Sequence, residues 1–153
     1  MLIPRIYADT SVIGGCFDDE FKGYSNQLFE EFISGKKIVV ISDLVLFELE
    51  GAPENVREVV SNIPEDNIEY VFLNEGSIEL ANAYLKDGVV AENSLSDARH
   101  IAIAAVERVD VLVSWNFKHI VNINRIRLLN SVNLKLGYPI LEIRSPIEVL
   151  YES

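Results

Sequence analysis

Cysteine is almost absent from this 153-residue chain. Cys16 stands alone, so no intrachain disulfide can form and a disulfide-stapled secreted scaffold is excluded. Positive charge is scarce too. Thirteen Lys and Arg face twenty-four Asp and Glu, a formal net charge of −11. So acidic a surface repels nucleic acid and anionic lipid at long range, and any polyanionic partner must be held by a local device. Long hydrophobic runs are missing: Ile101 to Val106 falls far short of a membrane span, and no basic region precedes an apolar block at the N-terminus. The sequence also lacks low-complexity stretches, Pro/Gly-rich linkers and internal repeats. These absences lead us to expect a soluble cytoplasmic protein with no membrane partner. The length suits one domain over 1–153, and 49% apolar with 24% charged residues is a globular composition.

What is present alternates between strand and helix patterns. Leu2 to Ala8 reads as a strand, apolar apart from Arg5, and Ile38 to Ile41 is a β-branched run typical of a buried strand. Ile68 to Leu73, Asp110 to Ser114 and Ile140 to Ile143 complete the expected strands. Helical spacing marks Tyr24 to Ser34, ended by Gly35, and Ile78 to Leu85, stopped by Gly88. Leu44 to Leu49, Val56 to Val60, Asp97 to Glu107 and Ile120 to Leu136 also read as helical. The alternation predicts an α/β domain with a mostly parallel sheet covered on both faces.

In such a sheet the functional crevice lies outside the carboxyl ends of the strands. Polar residues gather there: Asp9-Thr10-Ser11 after the first strand, Ser42-Asp43 after the second, Ser114-Trp115-Asn116 after the fourth. Glu48 and Asp97 lie on helices that follow such ends. Asp97 shares one helical face with Ile101, Ala104 and Ala105, so its carboxylate needs a proton, a partner or a metal. Each acid has a structural alternative. Asp9 reads equally as a helix N-cap, and Ser94 to Asp97 fits a capping box. Glu50 lies beside Glu48, and periodicity does not select between them.

Convergence of Asp9, Glu48 and Asp97 would gather three hard oxygen donors, with no cysteine and no His pair. That set suits Mg²⁺ or Mn²⁺ and not zinc. A divalent ion there relieves carboxylate repulsion, activates a water and neutralises phosphoryl charge. A second region fits a polyanion. From Val111 to Leu141 there is no Asp or Glu, while Lys118, Arg125, Arg127 and Lys135 occur among asparagines and His119. Such residues grip a nucleic-acid backbone; equally, they form a helix face paired with the acidic remainder.

Taken together, the chain resembles the PIN-domain family of metal-dependent ribonucleases that includes the VapC-type toxins. The resemblance lies in Ile6 to Val12, Ser42 with Glu48, Ser96-Asp97-Ala98 with Ile101, Ala102 and Ala105, and Leu112 to Phe117. It implies a three-layer α/β domain and one or two Mg²⁺ or Mn²⁺ ions held by Asp9, Glu48 and Asp97, selecting Glu48 over Glu50. The implied activity is endonucleolytic cleavage of RNA by a metal-activated water, leaving a 3′-hydroxyl and a 5′-phosphate. Thr10, Ser11 and Ser114 match positions that steady the first acid or the metal's waters. A homodimer and a small antitoxin partner are also implied.

The fourth acidic position departs from the family pattern. The expected Asp falls at Asn116 or His119. The Asn116 amide oxygen can still orient a water, but one lost negative charge weakens a second metal site more than the first. The alternative is a catalytically weak PIN-like module that binds RNA or protein. A phosphatase of the haloacid-dehalogenase type would need a second Asp where Ser11 stands, and a receiver domain would need adjacent acids at the first strand's end.

Overall fold

The computed structural model describes residues 2–151. Five strands form one parallel sheet: β1 (Arg5–Ala8), β2 (Ile38–Ser42), β3 (Ile68–Val71), β4 (Val111–Val113) and β5 (Ile143–Arg144), in the order β3-β2-β1-β4-β5. The central strands are apolar because both faces are covered: Ile6, Tyr7, Val39, Val40, Ile41, Leu112 and Val113 are fully buried. Among the described residues the eight α-helices are α1 (Thr10–Gly14), α2 (Lys22–Ser34), α3 (Asp43–Leu49), α4 (Glu54–Ser61), α5 (Glu75–Lys86), α6 (Leu95–Val106), α7 (Ile123–Lys135) and α8 (Pro146–Tyr151). Helix α2 meets α8 and α1 meets α4, whereas α5 meets α6 and α7. With the sheet, these make the expected three-layer α/β arrangement.

Helix α2 ends where anticipated. Gly35 takes φ +82°, and its N–H and that of Lys36 satisfy terminal carbonyls of the helix. Helix α6 is buried almost all round because it lies between the sheet and α5. Its short Ala98, Ala102, Ala104 and Ala105 side chains permit that approach.

Several boundaries differ from the sequence reading. Helix α8 is not among the expected elements, and α1 is expected only through the reading of Asp9 as an N-cap. The last strand is not Ile140 to Ile143 but Ile143–Arg144. The Asn130 side chain on α7 accepts from the Leu141 N–H and donates to the Leu141 carbonyl, so that segment is clamped to a helix ahead of the sheet. Helix α7 starts at Ile123, not Ile120, because Asn122 caps it by accepting from the N–H groups of Asn124 and Arg125.

Arg5, the one charge in β1, is accounted for at the amino end of the sheet. Its guanidinium meets Glu69 of β3 through two 2.7 Å bonds and donates to the Glu107 and Arg108 carbonyls at the end of α6.

Candidate active site

Strand order reverses direction between β1 and β4, and the chain leaves the two carboxyl ends on a shared crevice. Asp9 sits at this point. It caps α1 by accepting from the Val12 N–H at 3.2 Å, so the capping reading holds. The same carboxylate does more. Its Oδ1 accepts from Ser11 Oγ and its Oδ2 from Ser114 Oγ, both at 2.6 Å. Each serine is aimed by backbone, since Ser11 Oγ accepts the Trp115 N–H and Ser114 Oγ accepts the Asn116 N–H, both at 3.0 Å. The hydroxyl protons therefore point at the acid. Asp9 is 5% exposed, and no Lys or Arg among the described residues bonds it. Burial pushes its carboxyl above the usual range, against the pull of the Ser11 and Ser114 hydrogen bonds.

Glu48 approaches from α3, a helix capped by the Ser42 hydroxyl. Its Oε1 accepts from Thr10 Oγ1 at 2.5 Å and lies 2.8 Å from His100 Nε2, while Oε2 accepts from Ser96 Oγ at 2.6 Å. Partial burial would raise its carboxyl, but hydrogen bonds from His100, Ser96 and Thr10 outweigh that and hold it at about 2. Glu50 is exposed, beyond the end of α3.

Asp97 lies in the first turn of α6. The capping box read from Ser94 to Asp97 does not form: the Ser94 side chain makes no capping bond. Half-burial pushes Asp97 upward, only partly offset by His100 and His119. Asn116 Nδ2 donates to it at 3.4 Å, while Asn116 Oδ1 accepts the His119 N–H at 2.9 Å. The amide offered to a water in the sequence reading is thus engaged at both ends. Nδ1 of His119 is buried with no hydrogen-bond partner among the described residues.

Asp9, Glu48, Asp97, Thr10, Ser11 and Asn116 line one cleft of about 360 Å³, with Ser114 beneath it. The basic residues do not gather there as a set. Arg125 donates to the Val89 carbonyl and Lys135 pairs with Asp87 at 3.5 Å. Lys118 and Arg127 are exposed, with no ion pair among the described residues. His100, which the sequence reading passed over, joins the site. It is 3% exposed, and its Nδ1 lies 2.6 Å from Tyr7 Oη. Its spacing three residues after Asp97 was the available signal.

No protein-family model matches the chain, and no curated protein matches it in sequence. Solved structures do match. VapC20 of Mycobacterium tuberculosis, described as a sarcin–ricin loop cleaving toxin, is 18% identical with a TM-score of 0.55, over 74% of this chain and 92% of that one. The fold is that of a VapC-like PIN domain. VapBC2 of Rickettsia felis, solved with a promoter DNA fragment, aligns over 92% of this chain and 98% of that one, at 17% identity and TM-score 0.56. A toxin–antitoxin complex from Klebsiella pneumoniae gives the same identity and TM-score, over 78% and 93% of the two chains.

Among the described residues of this PIN-like domain, no group of three His, Cys, Asp or Glu side chains is arranged to hold a metal ion. The donors nevertheless suit a hard, hydrated cation. Two carboxylates made costly by burial, Asp9 and Asp97, share the cleft without a Lys or Arg hydrogen-bonded to either. Mg²⁺ keeps several waters and needs only one or two protein carboxylates. No helix among the described residues is long and apolar enough to cross a membrane.

Proposed function

We propose that this chain is an Mg²⁺- or Mn²⁺-dependent endoribonuclease, with Asp9 and Asp97 as principal ion ligands and Glu48 as the third. One observation carries the reading: Asp9, an almost wholly buried acid at the cleft wall, accepts from two hydroxyls and from no Lys or Arg among the described residues. A buried carboxylate in that state is stabilised by a cation arriving from the cleft. When bound, such an ion lowers the pKa of a coordinated water and neutralises charge growing on a phosphoryl oxygen. The chain's own groups prepare the place. Ser11 and Ser114 fix both oxygens of Asp9, Thr10 and Ser96 fix those of Glu48, and the Asn116 amide turns toward Asp97.

The substrate is RNA, cut to a 3′-hydroxyl and a 5′-phosphate, with Lys118 and Arg127 free to meet backbone phosphates. An antitoxin partner belongs to the same reading, supported by likeness to VapBC2 and to a toxin–antitoxin complex; a homodimer and a cytoplasmic setting are proposed with it. The deciding assay is cleavage of single-stranded and structured RNA in Mn²⁺, wild type against Asp9→Asn. Equal activity in the two proteins removes the nuclease.

A second reading is a catalytically weak PIN-like module that binds RNA or protein. It is favoured by Asn116 and His119 at the fourth acidic position and by the engagement of both Asn116 amide atoms. RNA binding that survives Asp9→Asn, with no cleavage by either protein, would select it.

A further inference from the structure

A continuous line of buried polar atoms runs beneath the cleft. Val45 N–H donates to Ser42 Oγ at 3.1 Å, Ser42 Oγ lies 2.7 Å from Tyr7 Oη, Tyr7 Oη lies 2.6 Å from His100 Nδ1, and His100 Nε2 lies 2.8 Å from Glu48 Oε1. Ser42 and Tyr7 are fully buried and His100 nearly so. In such surroundings every proton needs an acceptor. Counting them fixes the direction of the line. The Ser42 hydroxyl already accepts from Val45, and Tyr7 Oη is the one acceptor within its reach among the described residues. Ser42 therefore donates to Tyr7. The phenol oxygen, having accepted that hydrogen bond, directs its own proton to His100 Nδ1. An imidazole that accepts at Nδ1 carries its proton on Nε2, which faces Glu48. The reverse direction would leave the Ser42 proton with no acceptor in the core.

We propose that Tyr7 and His100 are positioning residues for Glu48: the Ser42–Tyr7–His100 line locks the imidazole in its Nε2–H tautomer, and that N–H holds the Glu48 carboxylate at the cleft wall. The proposal rests on the nuclease reading for its use, but its geometry does not. Thr10 and Ser96 grip Glu48 from groups that reach the solvent, whereas His100 is the one grip rooted in the core. Outer groups that orient a ligand in this manner contribute about tenfold to a hundredfold in metal affinity.

The experiment measures two things on the intact chain. Nitrogen-15 NMR reports the His100 tautomer, and calorimetry with Mn²⁺ alone reports affinity. The wild type should show Nδ1 as the accepting nitrogen and the proton on Nε2. Tyr7→Phe keeps the ring in place and removes one oxygen. It should release the tautomer and weaken Mn²⁺ about tenfold in protein that remains folded by circular dichroism. His100→Ala should weaken Mn²⁺ further, His100→Gln should recover part of the loss, and Tyr7→Phe should add nothing in the His100→Ala background. A residue serving packing alone would lower the melting temperature and leave Mn²⁺ affinity intact, which overturns the proposal. A proton on Nδ1 in the wild type overturns it as well. A wild type showing the Nε2–H tautomer but neither binding Mn²⁺ nor cleaving RNA refutes the nuclease and the Glu48 role together. Wild-type cleavage with unaltered variants refutes only the positioning role.

Discussion

Strand β1 begins on one charge and is followed directly by another, and the two are treated in opposite ways. Arg5, at the amino end, meets the Glu69 carboxylate in a two-pronged ion pair and covers two carbonyls at the close of α6. Its charge is spent within the fold. Asp9, four residues on, lies deeper and, among the described residues, receives only hydroxyls and one backbone N–H. A protein that can neutralise one end of a strand so fully has left the other end unpaired, at the point where strand order reverses. The contrast separates a charge paired within the fold from one that meets no Lys or Arg among the described residues.

The comparison breaks most sharply at Asp9. Loss of a ligand to a catalytic ion removes several kcal/mol of transition-state stabilisation, so Asp9→Asn should cut RNA cleavage about a thousandfold. The same substitution removes a buried unpaired charge and should not lower the melting temperature at neutral pH, the trade expected when a site is built against stability. Mn²⁺ at about 100 times its dissociation constant should stabilise the wild type by about 2.7 kcal/mol, and Asp9→Asn should forfeit that gain in thermal melts. Arg5→Ala should do the reverse, costing about 1–2 kcal/mol in urea unfolding while leaving Mn²⁺ affinity unchanged.

pH sharpens the contrast within the cleft. Glu48 titrates at about 2 in the fold against an ordinary 4.5, so its contribution is present above pH 4.5 and drains away as pH falls toward 2. The stability gap between wild type and Glu48→Gln should therefore narrow over that interval. Asp9 is shifted upward from 3.8, so its protonated form suits the fold and its contribution is lost as pH rises through the folded value. Relative to wild type, Asp9→Asn should gain stability as pH climbs above 3.8, in denaturation without divalent ions. The smallest effects belong to the basic stretch. Lys118→Ala and Arg127→Ala should weaken RNA binding evenly across sequences and reduce the salt slope by about one each. Arg125→Ala should instead destabilise the fold, because its guanidinium holds the Val89 carbonyl.

Much of this was legible in the residues. Apolar β-branched runs marked β1 and β2, and the polar clusters at strand ends placed Asp9, Thr10, Ser11 and Ser114 at the crevice. That worked because parallel sheets bury both faces and leave polar groups only where strands stop. The misplaced last strand failed for a tertiary reason: Asn130 captures Leu141 before the chain reaches the sheet. His100 escaped notice because a single imidazole on an alanine-rich face reads as core. Its meaning depends on Tyr7, which is remote in sequence and itself reads as one more large residue in a buried strand.

The span between Asp9 and its partner Ser114 carries a consequence in time. These two groups stand 105 positions apart. A chain made from its amino end therefore displays Asp9 early, but only when β4 emerges and slides in beside β1 does the serine arrive to steady it. A growing polypeptide therefore lacks the full ring of hydroxyls around Asp9 until β4 has closed against β1, so the cleft is completed by sheet assembly and not by any local segment.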